Sequence, residues 1–152
     1  MHTSLPAALA ALALLVTTSA VGETGDEVGS SVHAFYKALS EGDVDVLAVS
    51  MPATGFTEFN TGSSELQTYD LKGLRKAFAD GVKIDFHVER LTVEVHGDAA
   101  IATGYRVGSL SYADGRRIDS YNCETIVLTR EQSHWLVRHV HLSQCAPAAK
   151  RQ

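Results

Sequence analysis

From residue 84 to residue 143 the chain alternates apolar and polar side chains, and only short polar breaks interrupt the pattern. A period of two places successive side chains on opposite faces, as in a half-buried strand. The runs 84–96, 99–112, 116–130 and 134–143 each read as one long strand. The breaks are Gly97-Asp98, Asp114-Gly115 and the polar stretch 131–133. None is long enough for a crossover helix, so neighbouring strands must run antiparallel. A meander with one apolar face needs a covering layer, and the residues before 84 must supply it.

They have the right period. Val28, Val32, Phe35, Tyr36 and Leu39 recur at helical spacing and form one apolar stripe, preceded by a polar, glycine-containing leader at 23–31 that reads as loose. Glu41-Gly42 suits the end of that helix. Asp43 can cap a short second helix that reaches Val49 and stops at Pro52. Residues 54–60 are strand-like and 61–68 form a polar loop. Asp70 caps a third helix with Leu71, Leu74 and Phe78 inward, closed by Asp80-Gly81. The expected order is α-α-β-α-β-β-β-β, an α+β chain whose curved antiparallel sheet wraps around helices.

The N-terminus obeys a different rule. Residues 1–22 hold no Asp, Glu, Lys or Arg, and the apolar run 7–16 is followed by Thr17-Thr18-Ser19. That run is shorter than the ~20 residues a membrane helix needs. Small residues at Thr18-Ser19-Ala20 and Ala20-Val21-Gly22 fit signal cleavage. Residues 1–22 are therefore expected to be a signal peptide, and 23–152 a single secreted or periplasmic domain without a membrane anchor after cleavage. About 130 residues suffice to bury roughly two-thirds of their unfolded surface around one core. The 18 Asp and Glu against 13 Lys and Arg give −5, which argues against a nucleic-acid partner. The sequence contains no CxxC, GxGxxG, GxxxxGK[ST] or GxSxG pattern. Those signatures of redox, dinucleotide, phosphate-loop and serine-hydrolase chemistry are missing, and no cofactor is expected.

Turn lengths fix a strand register, and register fixes faces. A two-residue Asp114-Gly115 turn pairs Ala113 with Arg116 and sets Tyr105 opposite Glu124. A turn centred on Glu131-Gln132 pairs Arg130 with Ser133, setting Glu124 opposite His139 and Asn122 opposite His141. A three-residue turn at 96–98 pairs Val95 with Ala99 and sets Glu89 opposite Tyr105. The helix-covered face then carries Ile101, Ile126, Leu128, Trp135 and Val137 at one end. At the other it carries Glu89, Tyr105, Asn122, Glu124, His139 and His141. An apolar floor grading into convergent polar groups describes a pocket. The opposite face, with Tyr121, Cys123, Thr125, Val127, Leu136, Arg138, Val140 and Leu142, is too apolar for free solvation. A second copy of the chain is its simplest cover, giving a homodimer through the outer sheet face.

Glu124 and Thr125, nine further residues, Trp135, and then His139-Val140-His141-Leu142-Ser143 satisfy the pattern E-T-x9-W-x3-H-x-H-x-S. That stretch resembles the last hairpin of the calcium/calmodulin-dependent kinase association domain and its SnoaL-like relatives. Phe35-Tyr36-x-Ala38-Leu39-x-x-Gly42-Asp43 resembles the opening helix of the same group. The resemblance covers about residues 30–144 and extends to the nuclear transport factor two-like superfamily. It implies a cone-shaped sheet around a long helix, with a pocket in the cone and assembly into dimers or larger rings. The superfamily includes isomerases, dehydratases, cyclases and oligomerisation domains, so fold alone does not choose among them.

On this register Glu124 and His139 form a candidate acid–base pair, with Tyr105 polarising a developing oxyanion. Tyr36, Phe56, Glu89, Asn122, Trp135 and His141 are candidate ligand contacts. The alternative is that Glu124, His139 and His141 merely satisfy one another across strands. His139 and His141 could join Glu124 or His87 on a metal, but further ligands at firm spacing are missing and no metal is expected. Cys123 opposite Val140 would lie roughly 17 Å from Cys145 along a straight strand, beyond the ~7 Å between α-carbons a disulfide spans. Either the tail turns back to bridge them, or a bridge joins two subunits, or both thiols are free. The leading functional expectation is an exported pocket protein for a small, largely apolar molecule. A cofactor-free isomerase or dehydratase is the alternative, and a structural oligomerisation module the third.

Overall fold

The computed structural model describes residues 20–145, and the apolar run with its small-residue cleavage positions up to Ser19 lies outside them. Three helices are present among the described residues: α1 (Ala20–Glu41), α2 (Val44–Ser50) and α3 (Leu71–Ala79). The same residues hold six strands: β1 (Phe56–Phe59), β2 (Gln67–Tyr69), β3 (Lys83–His96), β4 (Ala99–Ser111), β5 (Arg117–Glu131) and β6 (His134–Gln144). They form one sheet in the order β2-β1-β6-β5-β4-β3. The four long strands are the expected antiparallel meander. β1 adds to it parallel to β6, which makes the sheet mixed. The stretch read as a polar loop contains β2, a short strand that hairpins back onto β1. No described helix is long and apolar enough to cross a membrane.

The helices follow their sequence signals, with one correction. Val28, Val32, Phe35, Tyr36 and Leu39 are all buried. The leader at 23–31 is not loose; it is the first half of α1. Val28 and Val32 are fully buried, and Gly29 lies close to Leu91 of β3, so packing on the sheet extends the helix beyond its polar sequence. At its end Gly42 adopts φ +68°, and the Asp43 N–H donates to the Ala38 carbonyl at 2.9 Å. The Asp43 carboxylate then accepts from the Asp45 and Val46 amides at 3.2 and 3.1 Å and starts α2. Asp70 caps α3 by accepting from the Gly73 amide at 2.6 Å.

All three meander turns differ from the expected ones. The first is the tight two-residue turn: Gly97, at φ +63°, lets His96 pair with Ala99. Glu94 therefore lies opposite Ile101. A bulge between Glu89 and Thr92, with Arg90 at φ 53°, absorbs the offset, so Glu89 still meets Tyr105. The second is a three-residue loop, 113–115, in which the Tyr112 amide bonds the Arg116 carbonyl and Gly115 takes φ +87°. Ser111 pairs with Arg117, and Tyr105 consequently faces Cys123 instead of Glu124. In the third, Glu131 pairs with His134, and a further irregularity between Val127 and Leu128 makes Arg138 the extra residue of β6. Beyond it Glu124 pairs with Leu142, Asn122 with Gln144, His141 with Thr125 and His139 with Val127.

One-residue slips exchange the faces of a strand. Val140 and Leu142, expected outside, are buried at 1% and 4% exposure, whereas Ile101, expected inside, is 40% exposed. The core packs the inner face (Ala100, Ala102, Ile126, Leu128, Val137, Val140) against the α1 stripe. The same slip resolves the cysteines. Cys123 is opposite Ser143, which leaves Cys145 two residues beyond and joined to Cys123 in a disulfide with α-carbons 5.4 Å apart.

Candidate functional site

The cone is open. A cavity of about 1260 Å³ lies between α1, α3, the β1–β2 hairpin and the inner face of the sheet. Phe35 and Leu39 of α1, Phe56 of β1, Leu74 of α3 and Ile84 and Phe86 of β3 make its apolar wall. The aromatic rings interlock: Phe35 meets Tyr36 and Phe56 edge-on at 5.4 and 5.2 Å, and Phe56 stacks on Tyr69 at 5.3 Å. Gln144 and Cys145 also line the cavity, so the disulfide fastens part of its wall.

Two polar pairs sit in these walls, and a third joins a wall residue to a carboxylate behind it. Arg106 Nη1 donates to Glu58 Oε2 at 3.1 Å, with 11% and 9% of the two side chains exposed. The guanidinium lies 4.4 Å over the Phe86 ring, a cation–π arrangement in a mostly dry setting. Beside it, Asn122 Nδ2 donates to Ser120 Oγ at 2.7 Å. The third pair joins α1 to β5: the Tyr36 hydroxyl donates to Glu124 Oε1. Glu124 is 3% exposed, and its Oε2 has no hydrogen-bond partner.

Burial governs the protonation of this pair. It pushes the Glu124 carboxyl from its ordinary 4.5 up to about 7, against the hydrogen bond from Tyr36 and the charge of Arg106, which pull it down. Burial and the adjacent Glu124 charge raise the Tyr36 hydroxyl well above the usual phenol range, so it remains a donor. A carboxyl near neutrality can both give and take a proton, which is the requirement for acid–base chemistry. No group of three or more His, Cys, Asp or Glu among the described residues is placed to hold a metal ion.

Of the residues singled out from sequence, the cavity brings together Tyr36, Phe56 and Asn122, with Glu124 bonded behind Tyr36. The others lie elsewhere. His139 is on the outer face, its Nδ1 2.8 Å from Thr57 Oγ1, and His141 is exposed beside Phe59. Glu124 and His139 thus project from opposite faces, and the expected acid–base pair does not form. Tyr105 is also outside, stacked on Tyr121 at 5.8 Å; its neighbour Gly104 pairs with Glu124, so Tyr105 projects from the face opposite Glu124 and cannot polarise anything there. Glu89 is exposed with His87 at 3.4 Å. Trp135 is buried at 4% in the core, away from the cavity wall.

Arg106 and Glu58 are the cavity groups the sequence reading missed. A signal for Glu58 existed, since it shares strand parity with the buried Phe56. Arg106 shares parity with Ala102 and becomes recognisable as inward only when the 113–115 loop is counted with three residues.

The SnoaL-like domain family pattern matches residues 28–147. No curated protein matches the sequence. Among solved structures, an S. rosetta CaMKII hub is 23% identical with a TM-score of 0.60, over 80% of this chain and 96% of its own. A candidate dehydratase of the NTF2-like family from Streptomyces avermitilis is 18% identical with a TM-score of 0.64, over 83% and 99%. A candidate ketosteroid isomerase from Shewanella frigidimarina is 21% identical with a TM-score of 0.54, over 77% and 94%. At these identities the structural likeness speaks to the fold.

Proposed function

The chain belongs to the SnoaL-like domain family, and on that premise we propose that it is an exported pocket protein that binds a small, largely apolar molecule inside the cone. The observation that carries this reading is the open cavity of about 1260 Å³ with aromatic and aliphatic walls and few polar groups. A cone filled by its own side chains would have left no room for a ligand. The Cys123–Cys145 bridge supports export, because such bonds persist in oxidising compartments, and so does the apolar N-terminal run.

The test is binding of an uncharged, environment-sensitive dye such as Nile red. The native protein should enhance its fluorescence. Ala77→Trp, which projects a large ring from α3 into the cavity, should abolish the enhancement while leaving the circular dichroism unchanged. Equal dye binding by both proteins would sink the proposal.

A second reading is favoured by one observation, the Glu124 carboxyl at about 7 with Tyr36 bonded to it. It is a cofactor-free isomerase or dehydratase in which Glu124 transfers the proton and Tyr36 takes the polarising role first sought in Tyr105. Its support includes the likeness to candidate dehydratase and ketosteroid isomerase folds. Glu124→Gln separates the readings: loss of turnover with dye binding retained favours the enzyme. The outer sheet face, with Phe59, Ile101 and Tyr121 about 40% exposed, is assigned to a second copy of the chain; the hub structures it resembles are association domains.

A further inference from the structure

We propose that the cone selects an uncharged, hydroxyl-bearing apolar molecule and rejects carboxylates, because the single cation in its wall is already neutralised from within. This rests on the pocket reading above and specifies its ligand class. Arg106 is the only cation among the described residues that line the cavity, against the carboxylates of Glu58, Asp70 and Asp119. Its Nη1 is engaged by Glu58 at 3.1 Å, and its flat face lies on Phe86. Asp70 is occupied as the cap of α3, and Asp119 is paired with Arg117 at 2.9 Å.

The Arg106 Nε–H is buried without a partner and remains a donor, but a carboxylate bonded there would share one positive charge with Glu58 beside it. An arriving carboxylate has two further options, both unfavourable. It can displace Glu58 from Arg106 and leave a nearly buried carboxylate unpaired, which is strongly destabilising. Or it can sit unpaired in an apolar cavity whose remaining lining charges are negative. An arriving ammonium finds the lining carboxylates already engaged, Glu58 by Arg106, Asp119 by Arg117 and Asp70 by the Gly73 amide. A hydroxyl meets neither obstacle. The Asn122 amide donates to Ser120 Oγ, which leaves the Asn122 carbonyl oxygen to accept from the ligand, and the apolar walls take the rest.

The experiment is displacement of Nile red by a matched ten-carbon series, 1-decanol, decanoate and decylamine, at pH 8. The native protein should bind decanol more tightly than decanoate by at least about tenfold, the scale of an unpaired buried charge. Glu58→Gln frees Arg106 and should narrow that gap by at least about tenfold through tighter decanoate binding. The double variant Glu58→Gln/Arg106→Gln leaves neither charge and should keep the native preference, which serves if the single variant does not fold. A native preference for decanoate or decylamine, an unchanged gap in Glu58→Gln, or a narrowed gap in the double variant overturns the inference while dye binding upholds the pocket. Absence of both dye binding and displacement overturns the pocket reading itself.

Discussion

The Tyr36 hydroxyl and the Glu124 carboxylate, 88 residues apart in sequence, form a hydrogen bond that ties helix α1 to the inward face of β5 through a titrating group. Its carboxyl is raised from 4.5 to about 7 by burial. Between those values the folded chain holds a proton that the unfolded chain has released. Stability from this group is therefore complete below about pH 4.5 and declines as pH rises through 7, where the buried charge must form. The span corresponds to about 3 kcal/mol. Glu124→Gln should remove this dependence: the stability of native protein relative to variant, from chemical denaturation, should fall between pH 5 and pH 8. A difference independent of pH would refute the assignment.

Tyr36→Phe tests the same bond from the other side. The tyrosine donates to the charged carboxylate and so lowers its pKa; without it, Glu124 should titrate above about 7. At pH 8 the variant should lose about 1–3 kcal/mol, because a buried acceptor is left without its donor. An infrared titration of the isotopically labelled Glu124 carboxyl reads the shift directly. A lowered value would mean that the hydroxyl acts chiefly on the neutral acid.

These two residues also show where the sequence was legible. The α1 stripe named Tyr36, and strand alternation placed Glu124 on the same face as Ile126 and Leu128, which is where it lies. Helix caps at Asp43 and Asp70 were readable because each satisfies amides within a few residues. His139 and Tyr105 were misplaced because their faces depend on accumulated register across turns and bulges. Arg138 adds one residue to β6, the 113–115 loop adds one between β4 and β5, and each exchanges a face. The bulge at Arg90 cancelled the misread 96–98 turn, and Glu89 met Tyr105 for a reason the alternation did not contain. Nothing in the local pattern distinguishes a bulge residue from its neighbours.

The disulfide links register to the cavity. Cys145→Ser opens a bond that closes a 22-residue separation, and the unfolded chain regains entropy worth about 3 kcal/mol. Thermal unfolding of Cys145→Ser, and of native protein with reductant, should fall by similar amounts. Gln144 and Cys145 line the cavity, so Nile red should also bind less tightly after either treatment. An unshifted melting temperature would show that the bridge does not form in solution.

Gly108 answers a separate question, how β3 and β4 stay close through the curve of the sheet. It adopts φ +134°, and a Cβ there would lie 1.7 Å from the Asp85 carbonyl oxygen of β3. Gly108→Ala must both strain the backbone and part the strands, and should cost about 3 kcal/mol or more. Gly97→Ala provides the contrast. It shares a positive φ but faces open space, so only the conformational penalty of about 1–2 kcal/mol applies. Equal losses at the two positions, by urea denaturation, would remove close approach as the reason for Gly108.

The outer face sets a prediction about assembly. Phe59, Ile101 and Tyr121 are each about 40% exposed, on three strands of one sheet, with the Tyr105–Tyr121 stack among them. If a second copy covers this face, a charge placed on it must be buried unpaired in the assembly yet solvated in the monomer. Ile101→Glu should therefore convert a dimer to a monomer in light scattering without lowering the monomer's helix and strand content. Because Ile101 does not line the cavity, Nile red binding should persist in that monomer. A native protein that is monomeric at high concentration, or an Ile101→Glu variant that remains dimeric, would reject the outer face as the interface.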